Sequence, residues 1–317
     1  MFLKRYVGLD IGVSGVKIAY FSKGIGGVKC ESLDIIPLKD FGTTDIEYAI
    51  REALIFEHLT KIMGSIDLKG RRLVVPLPGD VARVFTVKDV DKNRDGDYTD
   101  AVKEASKRFF GGIVPLGVDF FWEIIEDRGD KVDVLGIIYN SEVVERFKIF
   151  FSNFTQDFEI EPASISLYNI FNIVNPAKSD RNKLVLHLGV KDVVMAVVSR
   201  EGDLIYGRTR SDLKAELVDE ITLENVGPYL LEVARAFKDS LNLVGYESEG
   251  MDGIEIYVSG GPTLSNVLLE AFKVVLRLEV KQINFLVNPP FKLYTGAPTF
   301  MAPRFTLAVG AVISRLL

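Results

Sequence analysis

Leu9-Asp10-Ile11-Gly12-Val13-Ser14-Gly15-Val16-Lys17-Ile18-Ala19 aligns without a gap on Leu186-His187-Leu188-Gly189-Val190-Lys191-Asp192-Val193-Val194-Met195-Ala196, with Leu, Gly, Val, Val and Ala coinciding. Each stretch is a pair of apolar, β-branched runs around a short turn, the pattern of a β-hairpin. The first hairpin extends over Tyr6–Phe21. A unit used twice in 317 residues is an internal duplication, because a solenoid stacks three or more units of short period. The expectation is α/β, with two related lobes facing one another.

The rest of the chain is arranged around these hairpins. A third strand is expected at Lys29–Pro37. Ile46, Ala49, Ile50, Ala53, Leu54 and Leu59 then fall at helical spacing over Ile46–Ile62, with Asp45 as N-cap. Over 73–140 the rhythm changes to a strand at Leu73–Val87, a helix at Tyr98–Phe110 and strands at Val118–Glu126 and Val132–Tyr139. That is a small strand-helix-strand-strand insert. Ser141 is positioned to cap a helix through Phe151, and a strand at Phe158–Ala163 leads to a helix at Ile165–Val174. Asn175-Pro176-Ala177-Lys178-Ser179-Asp180 suits a boundary. The expected division is 1–72 and 141–178 for the first lobe, 73–140 for the insert and 179–304 for the second lobe. Residues 305–317 return to the first lobe as a last, nearly all-apolar buried helix.

Composition narrows the function. A net charge of −6 gives none of the basic footprint that a phosphate backbone requires, which argues against nucleic acid. Cys30 is the only cysteine and His58 and His187 the only histidines, so an intrachain disulfide and Cys/His metal sites are excluded, and any metal must take oxygen ligands. No stretch approaches the ~18 apolar residues of a membrane span, and the start lacks the apolar core of a signal peptide. The expectation is a cytoplasmic chain without direct membrane insertion, reaching the membrane only through a partner.

Gly12-Val13-Ser14-Gly15 can present several N–H groups toward one point, the geometry of an anion nest. Read alone, it fits an ordinary glycine-containing hairpin equally well. Asp10 stands at the mouth of the same strand, where a carboxylate can hold a hydrated Mg2+. Lys17 offers a point charge, provided that strand alternation aims it at the site. A second loop at Gly189, Val190 and Lys191 would clamp a polyphosphate from the other side. A third element, Val258-Ser259-Gly260-Gly261-Pro262, is a strand entering a helix, with Pro262 suited to the first helical position.

The order hairpin, insert, hairpin, Ser-Gly-Gly turn resembles the actin-like ATPase superfamily, and within it the PilM family of type IV pilus assembly proteins. The residues that carry the resemblance are Leu9–Lys17, Val75-Pro76-Leu77-Pro78-Gly79, Ala101–Glu126 through Ile113-Val114-Pro115, and Val258–Pro262. The resemblance spans nearly the whole chain. It implies a two-lobed actin-like ATPase fold whose hairpins are phosphate loops (Asp10, Gly12, Val13, Ser14, Gly15, Val16 and Lys17; Gly189, Val190 and Lys191). It further implies that the Gly260-Gly261-Pro262 turn abuts adenosine, with ATP or ADP and Mg2+ as cofactors. Glu232 and Arg235, three apart on one helix face, then match the pair directed at ribose and adenine; read without the resemblance, they are a solvated ion pair. The implied partner is the cytoplasmic N-terminal peptide of a PilN-like membrane protein, and self-association is also compatible.

Two departures bear on chemistry. His187 stands where the second phosphate loop of this group usually carries Asp, so hydrolysis is expected to be slow or absent. Val190-Lys191-Asp192 replaces small hydroxyl residues. Two other functions stay open: a cytoplasmic domain like that of the type II secretion protein GspL, and a small-molecule kinase of the same superfold, although no carboxylate base for an acceptor hydroxyl is recognisable. An FtsA-like membrane tether would need a C-terminal amphipathic helix, and the C-terminal residues are apolar all round. Asp91–Thr99 imitates the first nine positions of an EF-hand loop, but position twelve is Val102 and no helix precedes it. A loop whose side chains cap the insert helix is the better reading.

Overall fold

The computed structural model describes residues 3–12, 15–38, 56–77, 81–175, 181–190, 192–198, 204–210, 213, 221–242, 254–275, 277, 279–287, 289, 291–293 and 299–317. The first hairpin is β1 (Lys4–Gly12) and β2 (Gly15–Gly24), with Gly12 opposite Gly15 at its tight end. β3 (Gly27–Ile36) continues antiparallel to β2, while β4 (Arg72–Leu77) and β8 (Phe158–Pro162) add parallel strands on the other side of β1. A short β14 (Lys292–Leu293) completes the six-stranded sheet β14-β3-β2-β1-β4-β8.

The second lobe repeats this plan. β9 (Lys183–Leu188) and β10 (Asp192–Val198) form the hairpin, β11 (Leu204–Arg210) follows antiparallel, and β12 (Glu255–Ser259) and β13 (Val280–Gln282) run parallel to β9. The order β11-β10-β9-β12-β13 therefore matches β3-β2-β1-β4-β8 in sequence and direction. Even the register is kept: Asp10 faces Lys17 in the first hairpin as His187 faces Val194 in the second, and Ile11–Val16 corresponds to Leu188–Val193. The duplication seen in the residues is a duplication in space.

The insert consists of β5 (Ala82–Asp91), α2 (Thr99–Ser106) with a 3-10 turn Lys107–Phe110, β6 (Val118–Asp127) and β7 (Lys131–Asn140). The single strand expected at Leu73–Val87 is two strands in two different sheets, β4 and β5. β5 also meets β11 at Phe85–Ile205, so the insert prolongs the second sheet to β13-β12-β9-β10-β11-β5-β7-β6. The EF-hand imitation resolves into local turns. Asp97 Oδ1 accepts the Thr99 N–H at 2.9 Å and the Thr99 hydroxyl at 2.7 Å, and Asp91 pairs with Lys131.

α1 (Phe56–Met63) is the described end of the first expected helix and turns Leu59, Ile62 and Met63 inward; Asp45 and the stretch 46–55 lie outside the described residues. In α3 (Ser141–Ser152) the cap is Asn140 rather than Ser141, because Asn140 Oδ1 accepts the Val143 N–H at 3.1 Å. α4 (Ala163–Val174), α5 (Leu223–Asn242) and α6 (Asn266–Val275) cover the sheets. The C-terminal helix α7 (Thr306–Ile313) is buried on every side, as its composition requires. It lies so close to its neighbours that a Cβ on Gly8 of β1 would stand 1.9 Å from the Ala308 carbonyl oxygen, and one on Gly310 1.9 Å from that of Ser166 in α4. Separate apolar cores fill the lobes, and a further cluster joins Leu167 and Phe171 of α4 and Leu307 of α7 to Val194 and Tyr257 of the second sheet. Among the described residues no helix is long and apolar enough to cross a membrane.

Candidate functional site

In open α/β sheets a ligand crevice forms beyond the carboxyl ends of parallel strands. In this chain β1, β4 and β8 run together in one sheet and β9, β12 and β13 in the other, and the glycine turns lie at those ends.

In the first hairpin Asp10 and Lys17 are cross-strand partners, so their side chains share a face, and Lys17 Nζ lies 3.6 Å from Asp10 Oδ2. Both are almost fully buried. Burial pushes the Asp10 carboxyl above its ordinary value, and the Lys17 ammonium opposes this only in part. Asp10 Oδ2 receives no hydrogen bond. The same ammonium covers the turn, since a Cβ on Gly12 would be 2.3 Å from Lys17 Nζ. Gly15 has φ +143° and its Cβ would press on the Ile36 carbonyl oxygen at 2.8 Å, so this position demands glycine. Val16 points into the lobe core and offers the site only backbone. Val13 and Ser14 lie outside the described residues.

The second loop is held from below. Tyr229 on α5 donates its hydroxyl to the Gly189 carbonyl at 2.8 Å, and the Leu213 N–H donates to the Val190 carbonyl at 2.9 Å. His187 ties two strands together: its Nδ1 is 3.1 Å from Ser259 Oγ, whose hydroxyl donates to the Leu186 carbonyl. With the serine hydrogen so used, Nδ1–H is the donor to Ser259. Lys191 lies outside the described residues.

The third element brings its turn against the second loop. Gly260 has φ +105°, and its Cβ would overlap the Leu188 carbonyl oxygen at 2.0 Å, which only glycine avoids. Gly261 and Pro262 begin a 3-10 turn, Gly261–Leu264, in place of the expected helix, and α6 starts after it. The Gly260 N–H donates to the Pro303 carbonyl at 2.9 Å, which brings Arg304 beside Gly261, with its Nε 3.7 Å from where a Cβ there would be. Arg304 was not among the expected site residues. The signal available was a lone charged residue in the mostly apolar run 300–313. Glu232 and Arg235 occupy the exposed side of α5, and among the described residues they form no ion pair with each other.

The paired lobes, the two hairpins in equivalent register and the glycine turn at the strand ends define the class: the chain has the actin-like ATPase fold. Its particular likeness is to a chain of the PilM–PilN type IV pilus biogenesis complex, with TM-score 0.74, 16% identity, and 98% of each chain covered. A Bacteroides thetaiotaomicron protein with an actin-like ATPase fold and unknown function superposes with TM-score 0.50 at 8% identity, over 89% of this chain and 91% of that one. Comparison of the sequence with family models and with curated proteins finds no match.

Proposed function

We propose that this chain is an actin-like, nucleotide-binding component of type IV pilus assembly, which holds ATP or ADP between its lobes and docks the cytoplasmic tail of a PilN-like membrane protein. The observation that carries the nucleotide reading is the buried Asp10–Lys17 pair over Gly12, at the carboxyl end of β1, with the Gly189 and Gly260 turns at the equivalent end of the other lobe. The likeness to the pilus complex supports the partner.

The residues suit each part of the ligand. A buried carboxylate with one oxygen lacking a donor fits an ion that keeps most of its waters, which is how Mg2+ is usually held beside phosphates. Bound there, the ion would neutralise phosphate charge. Lys17 supplies a cation that needs no metal, and the Gly12 and Gly189 turns allow backbone N–H groups to approach. At the second hairpin His187 is committed to Ser259, so no carboxylate stands there to orient a water, and hydrolysis on this reading is slow or absent. We assign β1–β4, β8 and β14 to one lobe, β9–β13 to the other and 82–140 to the insert, so that β4 falls to the first lobe and not to the insert expected from 73, and place the peptide in a groove between first lobe and insert. The chain would lie at the inner face of the membrane through that partner.

Calorimetry with ATP and ADP, with and without Mg2+, tests the nucleotide; no heat at millimolar nucleotide defeats it. Phosphate release approaching about 1 s⁻¹, the low end of ordinary enzyme rates, would overturn slow turnover. Fluorescence anisotropy with a PilN-like N-terminal peptide tests the partner. Ordering a disordered tail opposes binding, so a dissociation constant on the order of micromolar is expected. A peptide that fails to bind with or without ATP removes the pilus assignment.

A further inference from the structure

Arg304 is half-buried, and among the described residues it makes no hydrogen bond, ion pair or ring contact. Other arginines of the chain are engaged: Arg315 with Glu159 and Glu161, Arg71 with Glu31, Arg128 with Asp89 and Asp133, Arg83 with the Phe109 carbonyl. A guanidinium that is partly withdrawn from water and left unpaired is incompletely compensated, and an anion bound against it would supply what burial removes. Burial alone lowers its affinity for the proton, with no acid nearby to oppose that.

Its position bears on which anion. The Pro303 carbonyl accepts the Gly260 N–H, Gly260 touches the Leu188 carbonyl just before the second loop, and Arg304 rests beside Gly261. The guanidinium thus stands beside the Gly260-Gly261 turn, at the carboxyl end of β12. We propose that Arg304 is a ligand-contacting residue of this cleft, a second cation beside Lys17 that pairs with the bound nucleotide. Its chain position adds a function: Arg304 is two residues ahead of α7, whose Ala308 lies against Gly8 of β1. A ligand held by Arg304 is thereby connected to the strand that carries Asp10.

This inference rests on the nucleotide reading above, and the experiment separates the two. Affinities for ATP, ADP, tripolyphosphate and adenosine are measured on the unaltered protein and on Arg304→Gln, Arg304→Lys and Arg304→Met, together with melting temperatures without ligand. The expected result is a loss of about ten- to a hundredfold in ATP affinity for Gln and Met, the size of one charge-assisted hydrogen bond. Lys should recover part of it. Loss of affinity shared by tripolyphosphate places the contact on the phosphates, and loss shared by adenosine places it on the base or ribose; either supports the proposal. The ligand-free melting temperature of Arg304→Met should hold or rise. Unchanged ATP affinity in Gln and Met overturns the proposal, as does an affinity loss that comes with a melting temperature several degrees lower, which marks a structural role. If the unaltered protein binds none of the four ligands, the nucleotide reading fails first and this proposal with it.

Discussion

Lys17 Nζ sits 3.6 Å from Asp10 Oδ2 across the tight end of the first hairpin, while the same register positions of the second hairpin hold His187 and Val194. One copy of the repeated unit therefore carries both charges. Lys17→Met should lower ATP affinity by about tenfold or more, since a charged partner of the phosphates is removed. Val194→Lys, added to Lys17→Met, should not restore it. Calorimetry on both variants checks this, and an Lys17→Met protein that binds ATP as before would show that the ammonium serves only Asp10.

Two glycine substitutions should fail in different ways. A Cβ on Gly12 meets the mobile end of Lys17, whereas one on Gly260 meets fixed backbone at a positive φ. Gly12→Ala is expected to melt within a few degrees of the unaltered protein but to lose nucleotide affinity through the displaced ammonium. Gly260→Ala should lose about 1–3 kcal/mol of stability from overpacking, with strain added. Denaturant titration beside nucleotide calorimetry distinguishes the two outcomes.

Arg315 secures the C-terminus by pairing with Glu159 and with buried Glu161, which also receives the Ser166 hydroxyl. Desolvation raises the Glu161 carboxyl above its ordinary value, and the Arg315 guanidinium opposes this. In Arg315→Met the carboxyl rises further. A carboxyl raised in the folded state adds stability below its unfolded value, and that stability is lost as pH climbs through the folded value. The variant should therefore be weaker at pH 8, by up to about 3–5 kcal/mol, because ionising Glu161 without Arg315 leaves a buried charge with no cation. The gap to the unaltered protein should narrow toward pH 5. Urea unfolding at both pH values measures it, and a gap independent of pH would remove Glu161 from the account.

Millimolar Ca2+ should leave the melting temperature unchanged. Asp97 is engaged with Thr99 and Asp91 with Lys131, and among the described residues no group of three or more acidic, His or Cys side chains is arranged to hold a metal. A rise of several degrees would show binding to the folded state.

The hairpins were legible because glycine and alternating β-branched residues encode a hairpin within a dozen positions. Their pairing in space needed only that the same pattern occur twice. The Asn140 cap and the Pro78-Gly79-Asp80 turn signal are local in the sequence, but the first competes with Ser141 and the second lies within a mostly apolar stretch, 73–87. Arg304 was of another kind. It reaches the cleft through a hydrogen bond between Pro303 and Gly260, residues more than forty positions apart, and no local pattern encodes that. The joining of β5 to β11, from two distant parts of the chain, was hidden for the same reason.

The glycine contacts of α7 have a mechanical consequence. With Gly310 pressed on the Ser166 carbonyl and Gly8 on that of Ala308, backbone meets backbone with no side chain between to yield. Such a joint resists sliding, because any translation along the helix carries a bulkier neighbour into the gap. The separation of α4, α7 and β1 is thereby fixed to backbone contact, and any larger residue at Gly8 or Gly310 would wedge the three apart.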